Sequence, residues 1–273
     1  MTALATARTL LFVPGNKPAL FGKAAGSGAD CYIADLEDAV APADKEQARA
    51  AALDGLARTP GLIRINAAGT AWHDDDLQAI AAASGVQGVM LPMSEDVEAV
   101  RRVSDRLAGI PLVLLVETAR GIRDAGMLAQ VPGVTRLAFG NLDFALDAGI
   151  EPRTDDEDEL LYARSALTLA ARAAGLPGPV DGVLGDFKNT DLLRRRTTRA
   201  WDLGFRGKLC IHPSQVAVVH DAVAPSDEEV AWARRIVDGA ADLDGAAVQV
   251  DGEMVDRPVL LKAQDLLARA VVR

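Results

Sequence analysis

Apolar residues along the chain gather in short runs, with polar segments of helical pattern between them. The run at 112–116, Leu-Val-Leu-Leu-Val, has no polar member; it follows Pro111 and ends on Glu117. An aliphatic run of this length bounded by polar turn residues reads as a parallel strand buried on both faces. Comparable runs stand at 9–13, 31–35, 62–66, 88–92, 135–140, 180–184 and 208–212. The intervening patterns predict helices at 18–25, 43–57, 71–83, 155–174 and 189–203, and one more opened by Ser94 as its N-cap. Thr154-x-x-Glu157 has the form of a capping box for the long helix at 155–174. Strands alternating with helices in this way predict an α/β fold, a TIM (β/α)8 barrel. A doubly wound sheet is the alternative, because strand count alone does not prove closure.

The pattern changes after the eighth strand. Ser226-x-x-Glu229 caps a further helix, running to about 240. The turn pair Asp251-Gly252 between the apolar runs at 248–250 and 253–255 signals a hairpin, and 258–272 reads as a last amphipathic helix. The expected organisation is a barrel domain at 1–224 and a helical and hairpin lid at 225–273. That extension is too small to fold alone, so it must pack on the barrel or on a neighbouring subunit.

Composition narrows the function classes. The 273 residues are 49% hydrophobic, enough for a substantial core, and 29 basic against 39 acidic residues give a net charge of −10. An acidic chain with a pI near 4.8 speaks against a nucleic-acid or anionic-membrane surface. Cys31 and Cys210 are the two cysteines, without a CxxC; one disulfide between them is open, but the cytoplasm is the simpler reading. No run approaches the roughly 18 apolar residues of a membrane span.

The candidate chemistry lies just past the strands' carboxyl ends, which share one face of a barrel. They supply Asp35, Glu37 and Asp38 after the second strand, Arg64 and Asn66 on the third, Glu117 and Arg120 after the fifth, and Gly140, Asn141 and Asp143 after the sixth. Glu117 alone could be a salt-bridge or capping residue, and Asp143 alone could cap the segment 144–148. On neighbouring parallel strands, about 4.8 Å apart, two carboxylates repel unless something positive lies between them. Two oxygen donors without His or Cys suit Mg²⁺, which keeps waters and takes further ligands from substrate. Arg64, among apolar neighbours, needs an anion: Glu37, Asp38 or a substrate carboxylate. His212 reads as a structural hydrogen-bonding residue. Arg194, Arg195, Arg196 and Arg199 read as a solvated helix face, and 155–159 as an acidic helix start. Gly26-x-Gly28 is no dinucleotide fingerprint, since it precedes a strand.

Seven segments then carry a family resemblance in order: Leu11-Phe12-Val13-Pro14-Gly15, Asp35-Leu36-Glu37-Asp38-Ala39-Val40-Ala41-Pro42, Arg64-Ile65-Asn66, Glu117-Thr118-Ala119-Arg120-Gly121, Phe139-Gly140-x-x-Asp143, Ile211-His212-Pro213-Ser214-Gln215 and Gly252-Glu253-Met254-Val255-Asp256-Arg257-Pro258. The chain resembles the citrate lyase β-subunit-like proteins of the HpcH/HpaI aldolase superfamily, which include malyl-CoA and citramalyl-CoA lyases. The resemblance implies a Mg²⁺-dependent lyase (Mn²⁺ as a substitute), usually trimeric, that splits a 3-hydroxyacyl-CoA into an acyl-CoA and a 2-oxo acid. It further implies Glu117 and Asp143 as metal ligands and Arg64 as the residue that holds the oxo acid or meets developing charge. Glu37 would support metal waters or Arg64, Gly140 and Asn141 would contact substrate, and Asp256 would act as acid/base over a neighbouring subunit's mouth. Related readings are a citrate lyase β-type subunit acting on a carrier thioester, an aldolase of free oxo acids, and a non-catalytic acyl-CoA or oxo-acid binding protein. Two positions depart from the family pattern: Met93 replaces a lysine after Leu91-Pro92, and Leu142 replaces an acid before Asp143.

Overall fold

The computed structural model describes residues 3–240, 248–250 and 252–270. The chain falls into two compact units, Met1–Ala222 and Val223–Arg273.

In the first unit the strands are β1 (Thr9–Pro14), β2 (Cys31–Asp35), β3 (Gly61–Arg64), β4 (Val86–Leu91), β5 (Leu112–Val116), β6 (Val134–Phe139), β7 (Val180–Asp181) and β8 (Gly207–Cys210). They close in sequence order into a parallel barrel, so the expected TIM barrel is present and the open sheet is not. Thr9 paired with Lys208 joins the last strand to the first. Closure is thinnest at β7, which meets β6 through the single pair Ala138 and Val180.

Alternation along each strand separates two cores. Leu10, Ile33, Leu62, Met90, Val113, Leu115, Ala138, Val180 and Leu209 form one cluster, the barrel interior. The alternate residues, such as Leu11, Ile63, Leu114, Leu137 and Phe139, join helix residues in the larger cluster outside. That is why the run at 112–116 contains no polar residue: all five side chains of β5 are buried. A short α1 (Ala3–Thr6) contributes Leu4 to the inner cluster, and Ala7 follows it there. The buried Arg136, at the start of β6, donates to the carbonyls of Leu4, Ala7 and Gly178. The N-terminal segment thus plugs the barrel end remote from the strand C-termini.

The outer helices are α2 (Phe21–Ala25), α3 (Lys45–Arg58), α4 (His73–Ala81), α5 (Val97–Arg106), α6 (Ala119–Leu128), α7 (Asn141–Asp147), α8 (Leu161–Ala173), α9 (Thr190–Asp202) and α10 (Ser214–Val223). Two starts differ from expectation. α5 is capped by Asp96, which accepts from the Ala99 N–H, while Ser94 is tied to β4 and β5 through the Leu91 and Leu115 carbonyls. α8 begins only at Leu161, because Glu157 takes a left-handed conformation (φ 52°) and turns its carboxylate inward. Thr154 instead accepts from the Asp158 N–H and donates to Glu159. Among the described residues no helix is long and apolar enough to cross a membrane.

The second unit contains α11 (Asp227–Gly239), the antiparallel pair β9 (Val248–Val250) and β10 (Glu253–Val255), and α12 (Arg257–Ala270). Ser226 and Glu229 form the reciprocal capping box. Gly252, with φ 85°, takes the positive-φ turn position; Asp251 lies outside the described residues. Ala233, Ile236, Ala240, Val255, Ala263 and Leu266 form the unit's own small core.

Candidate active site

The C-terminal ends of the strands surround a cavity of about 370 Å³ whose lining includes Asp35, Asp38, Arg64, Glu117, Gly140, Asn141, Leu142 and Asp143. Barrel closure is what brings them together, since they come from β2, β3, β5 and the turn after β6.

Arg64 is buried and faces Asp35 across the β2–β3 register. Its Nε and Nη2 donate to the two oxygens of Asp35, each at 2.7 Å, while Nη1 lies 2.9 Å from Glu37 and 3.1 Å from Asp38. The guanidinium also stands 4.7 Å over the Phe12 ring. Its bidentate fork is therefore taken by Asp35, a partner the sequence reading passed over. The Asp35 oxygens also accept from the N–H groups of Glu37 and Ala39, which fixes the loop that carries Glu37 and Asp38. Lys45, another residue the sequence did not flag, is buried beneath that loop and donates to the Leu36 and Glu37 carbonyls, each at 2.7 Å. Burial pushes the Glu37 carboxyl up to about 8, against the pull of Arg64, and the charges of Asp38 and Glu117 add to the rise.

Glu117 is 3% exposed. Its Oε1 accepts from the Met93 N–H at 2.7 Å, and Met93 adopts a left-handed φ of 49°. A Cβ on Gly140 would stand 2.3 Å from Glu117 Oε2, so only glycine leaves room for this carboxylate. Burial raises Glu117 to about 7; the Met93 hydrogen bond opposes the shift and Asp143 reinforces it. Asp143 sits exposed in the first turn of α7, whose N-cap is Gly140, so it is not the cap itself.

Five carboxylates thus gather around one guanidinium, and Arg64 is the one cation among the described residues lining the cavity. A divalent cation with oxygen ligands fits this donor set: Glu117 and Asp143 can hold it and lower their mutual repulsion. Among the described residues no group of three or more metal-ligating side chains forms a fuller set. The remaining ligands would therefore be water or substrate oxygens.

The other predicted residues have different surroundings. The Asn141 amide is committed to the end of β7: its Oδ1 accepts from the Val183 N–H at 2.9 Å, and its Nδ2 lies 3.2 Å from both the Val183 carbonyl and Glu157. Asp256, in the second unit, accepts from the Val259 N–H at 3.1 Å and so caps α12. His212 bonds Ser214 and stacks on Phe187, in keeping with a structural role. Cys31 and Cys210 are free thiols, raised by burial to about 11 and 12.

The arginine cluster is exposed at Arg194, Arg195 and Arg199, as expected of a solvated helix face, but Arg196 turns inward. Arg195, Arg196 and Arg199 pair with the acids at 155–158. This clasp continues inward on the outer side of β7 and β8. Glu157 binds Arg164 and Arg196, each at 2.6 Å, and Asp181 binds Arg164 at 2.9 Å and Lys208 at 2.5 Å. Burial would raise Asp181, but Lys208 and Arg164 prevail and hold it at about 2.

The sequence profile of the family described as HpcH/HpaI aldolase/citrate lyase matches residues 8–213, the whole barrel and its polar strand ends. The chain belongs to this family. Among HpcH/HpaI relatives, a citrate lyase subunit beta-like protein of Deinococcus radiodurans is 35% identical over 96% of each chain. A (3S)-malyl-CoA thioesterase of Cereibacter sphaeroides is 34% identical over 96% of this chain and 94% of its own. Protein CitE of Mycobacterium tuberculosis, solved in complex with magnesium, acetoacetate and coenzyme A, superposes with a TM-score of 0.85 at 37% identity, covering 98% of this chain and 99% of its own.

Proposed function

We propose that this family member is a Mg²⁺-dependent carbon–carbon lyase. It reversibly cleaves a 3-hydroxyacyl-CoA of the malyl-CoA or citramalyl-CoA kind to an acyl-CoA and a 2-oxo acid. The observation that carries this reading is the buried Glu117 beside the exposed Asp143, two acids on the lining of the barrel cavity for which no ion pair is found among the described residues. The related CitE, which binds magnesium, an oxo acid and coenzyme A together, supports it.

Glu117 and Asp143 are assigned the metal. When bound, it supplies electrophilic stabilisation for the charge that gathers on the oxo-acid oxygen as the carbon–carbon bond breaks or forms. The Met93 N–H and the space left by Gly140 keep Glu117 in one orientation, so little reorganisation precedes the reaction. Arg64, fixed by Asp35, presents positive charge at the cavity wall, and Glu37 supports it. Gly140 and Asn141 shape the surface beside the oxo acid. Asp256, supplied by a neighbouring copy in a trimer, is assigned the proton on the carbon alpha to the thioester. That role requires its carboxylate to release the Val259 N–H.

Turnover of a panel of 3-hydroxyacyl-CoA thioesters, with and without Mg²⁺, tests the proposal. The expected products are an acyl-CoA and a 2-oxo acid, lost on chelation. The thioesterase relative motivates a second reading, hydrolysis to free coenzyme A and a hydroxy acid, and product analysis separates the two. Mixing inactive Asp256→Ala and Glu117→Ala subunits should restore partial activity; no restoration despite subunit exchange would return Asp256 to its capping role.

A further inference from the structure

The turn after β6 carries Asp143, and little apolar packing holds it. α7 has seven residues, too few to be stable as an isolated helix. Its buried side chains are Asn141, Phe144 and Ala145, while Asp143 stays exposed. Polar contacts supply further anchorage. At the far end of α7, Asp147 accepts from the Ala119 N–H at 2.7 Å. At the near end the buried Asn141 amide fills the space beside Gly182, where a Cβ would stand 2.0 Å from Oδ1. That Oδ1 accepts from the Val183 N–H, and Nδ2 donates to Glu157 Oε1 at 3.2 Å.

Glu157 holds its place against a backbone preference. It is 5% exposed, and its φ of 52° is a left-handed conformation that residues other than glycine seldom take. Such strain persists where the surroundings over-determine it. Here two guanidiniums do so, Arg164 on Oε2 and Arg196 on Oε1. Arg164 also stands 5.4 Å from the centre of the Phe139 ring, on the last residue of β6. The ionic network that begins at Asp181 therefore ends on the residue that opens α7, two positions before Asp143.

We propose that Glu157 is a positioning residue for the metal: through Asn141 it holds the first turn of α7 so that Asp143 stands beside Glu117. The inference rests on the assignment of the metal to those two acids in the lyase reading above. Glu157 itself lies outside the described cavity lining, and its charge is compensated by Arg164 and Arg196. Its influence is geometric. Mg²⁺ demands near-ideal octahedral ligands, so a displaced Asp143 carboxylate binds it less well.

Magnesium calorimetry on the full chain tests the role, with circular dichroism as the check on folding. Glu157→Gly removes the carboxylate, suits the left-handed turn and should weaken Mg²⁺ binding about tenfold, as loss of a supporting contact does. Asn141→Ala should weaken it by a similar factor. The double variant should match Asn141→Ala within about twofold, because the two residues act in series. Glu157→Gln keeps an oxygen for Asn141 and should retain most of the affinity despite a lower melting temperature. Asp181→Ala loosens the same network but leaves Glu157 on Asn141, so its affinity should persist.

Unchanged affinity in Glu157→Gly, additive losses in the double variant, or an equal loss in Asp181→Ala would overturn the inference. Should Glu157→Gly fail to fold, the other variants decide: parental affinity in Asn141→Ala, or a loss in Glu157→Gln as large as that in Asn141→Ala, overturns it. Glu117→Gln and Asp143→Asn separate this role from the metal assignment. If they weaken binding and Glu157→Gly does not, only the positioning role falls. If neither weakens it, the metal site and its support fall together.

Discussion

At the cavity, Asp35, Glu37, Asp38, Glu117 and Asp143 face one guanidinium. On the outer side of β7 and β8, Glu157 and Asp181 face Arg164, Arg196 and Lys208. Both clusters are ionic, yet Asp181 in one and Glu117 and Glu37 in the other titrate in opposite directions. Asp181 is held at about 2 by the cations around it, whereas burial and like charge raise Glu117 to about 7 and Glu37 to about 8. The outer cluster compensates its acids within the protein and so behaves as structure. The cavity cluster leaves negative charge uncompensated, as expected of a group that completes itself with a ligand.

The largest contrast is expected from Glu117→Gln and Asp181→Ala. Glu117→Gln should weaken Mg²⁺ binding by more than about 100-fold, since even loss of an outer supporting contact costs up to that much. It should leave the metal-free melting temperature unchanged or raised, because a buried, repelled carboxylate is gone. Calorimetry and thermal melts check both parts, and a large loss of stability would erase the distinction between the clusters.

Asp181→Ala should do the opposite. It leaves Lys208 buried without its anion and Arg164 with Glu157 alone, and should cost about 3–5 kcal/mol of folding stability. Mg²⁺ affinity should persist under conditions where the variant folds. Denaturant titration with a parallel metal titration reads the split.

The pH dependence sharpens the comparison further. Asp181 has a folded pKa below its ordinary 3.8, so it contributes about 2 kcal/mol of stability above pH 4, lost as pH falls towards 2. Glu117 and Glu37 have folded pKa values above their ordinary 4.5, so the metal-free protein is more stable with them protonated. That advantage is present below about pH 4.5 and is lost as pH rises through 7 and 8. Saturating Mg²⁺ should flatten this upper limb and leave the acid limb untouched. Melts from pH 3 to 9, with and without metal, test the sign of each.

The smallest effect belongs to the rim of the clasp. Arg195→Ala removes pairs between solvent-exposed groups and should cost about 1 kcal/mol or less, decreasing with added salt.

Much of the comparison's first half was legible in the sequence. The apolar run before Glu117 is local information, and the rule that strand ends share a face assembled Glu117, Asp143 and Arg64 without coordinates. The fork between Arg64 and Asp35 was not legible, because it depends on which residues meet across the β2–β3 register. Lys45 escaped notice because its partners are backbone carbonyls, which no charge pattern reveals. The pairing within the second cluster was not legible for a related reason. Glu157 and Arg196 are 39 positions apart, and only the packing of α9 against the 155–159 loop turns a capping-box pattern and a basic helix face into one network. Ser94 lost the cap to Asp96 because its own hydrogen bonds are drawn to β4 and β5.

Barrel closure also sets a timetable for synthesis. β1 leaves the ribosome early and can pair with β2 within seconds, but its other edge must wait for β8, whose Lys208 pairs with Thr9. At a ribosomal pace of about 5–20 residues per second, that edge stays unpaired for roughly 10–40 s. Through this interval the nascent chain carries an open strand edge, the feature on which foreign strands add. Its safety then depends on chaperones or on how quickly later strands arrive. A stalled ribosome anywhere before residue 208 would release a half-built sheet with its first edge still bare.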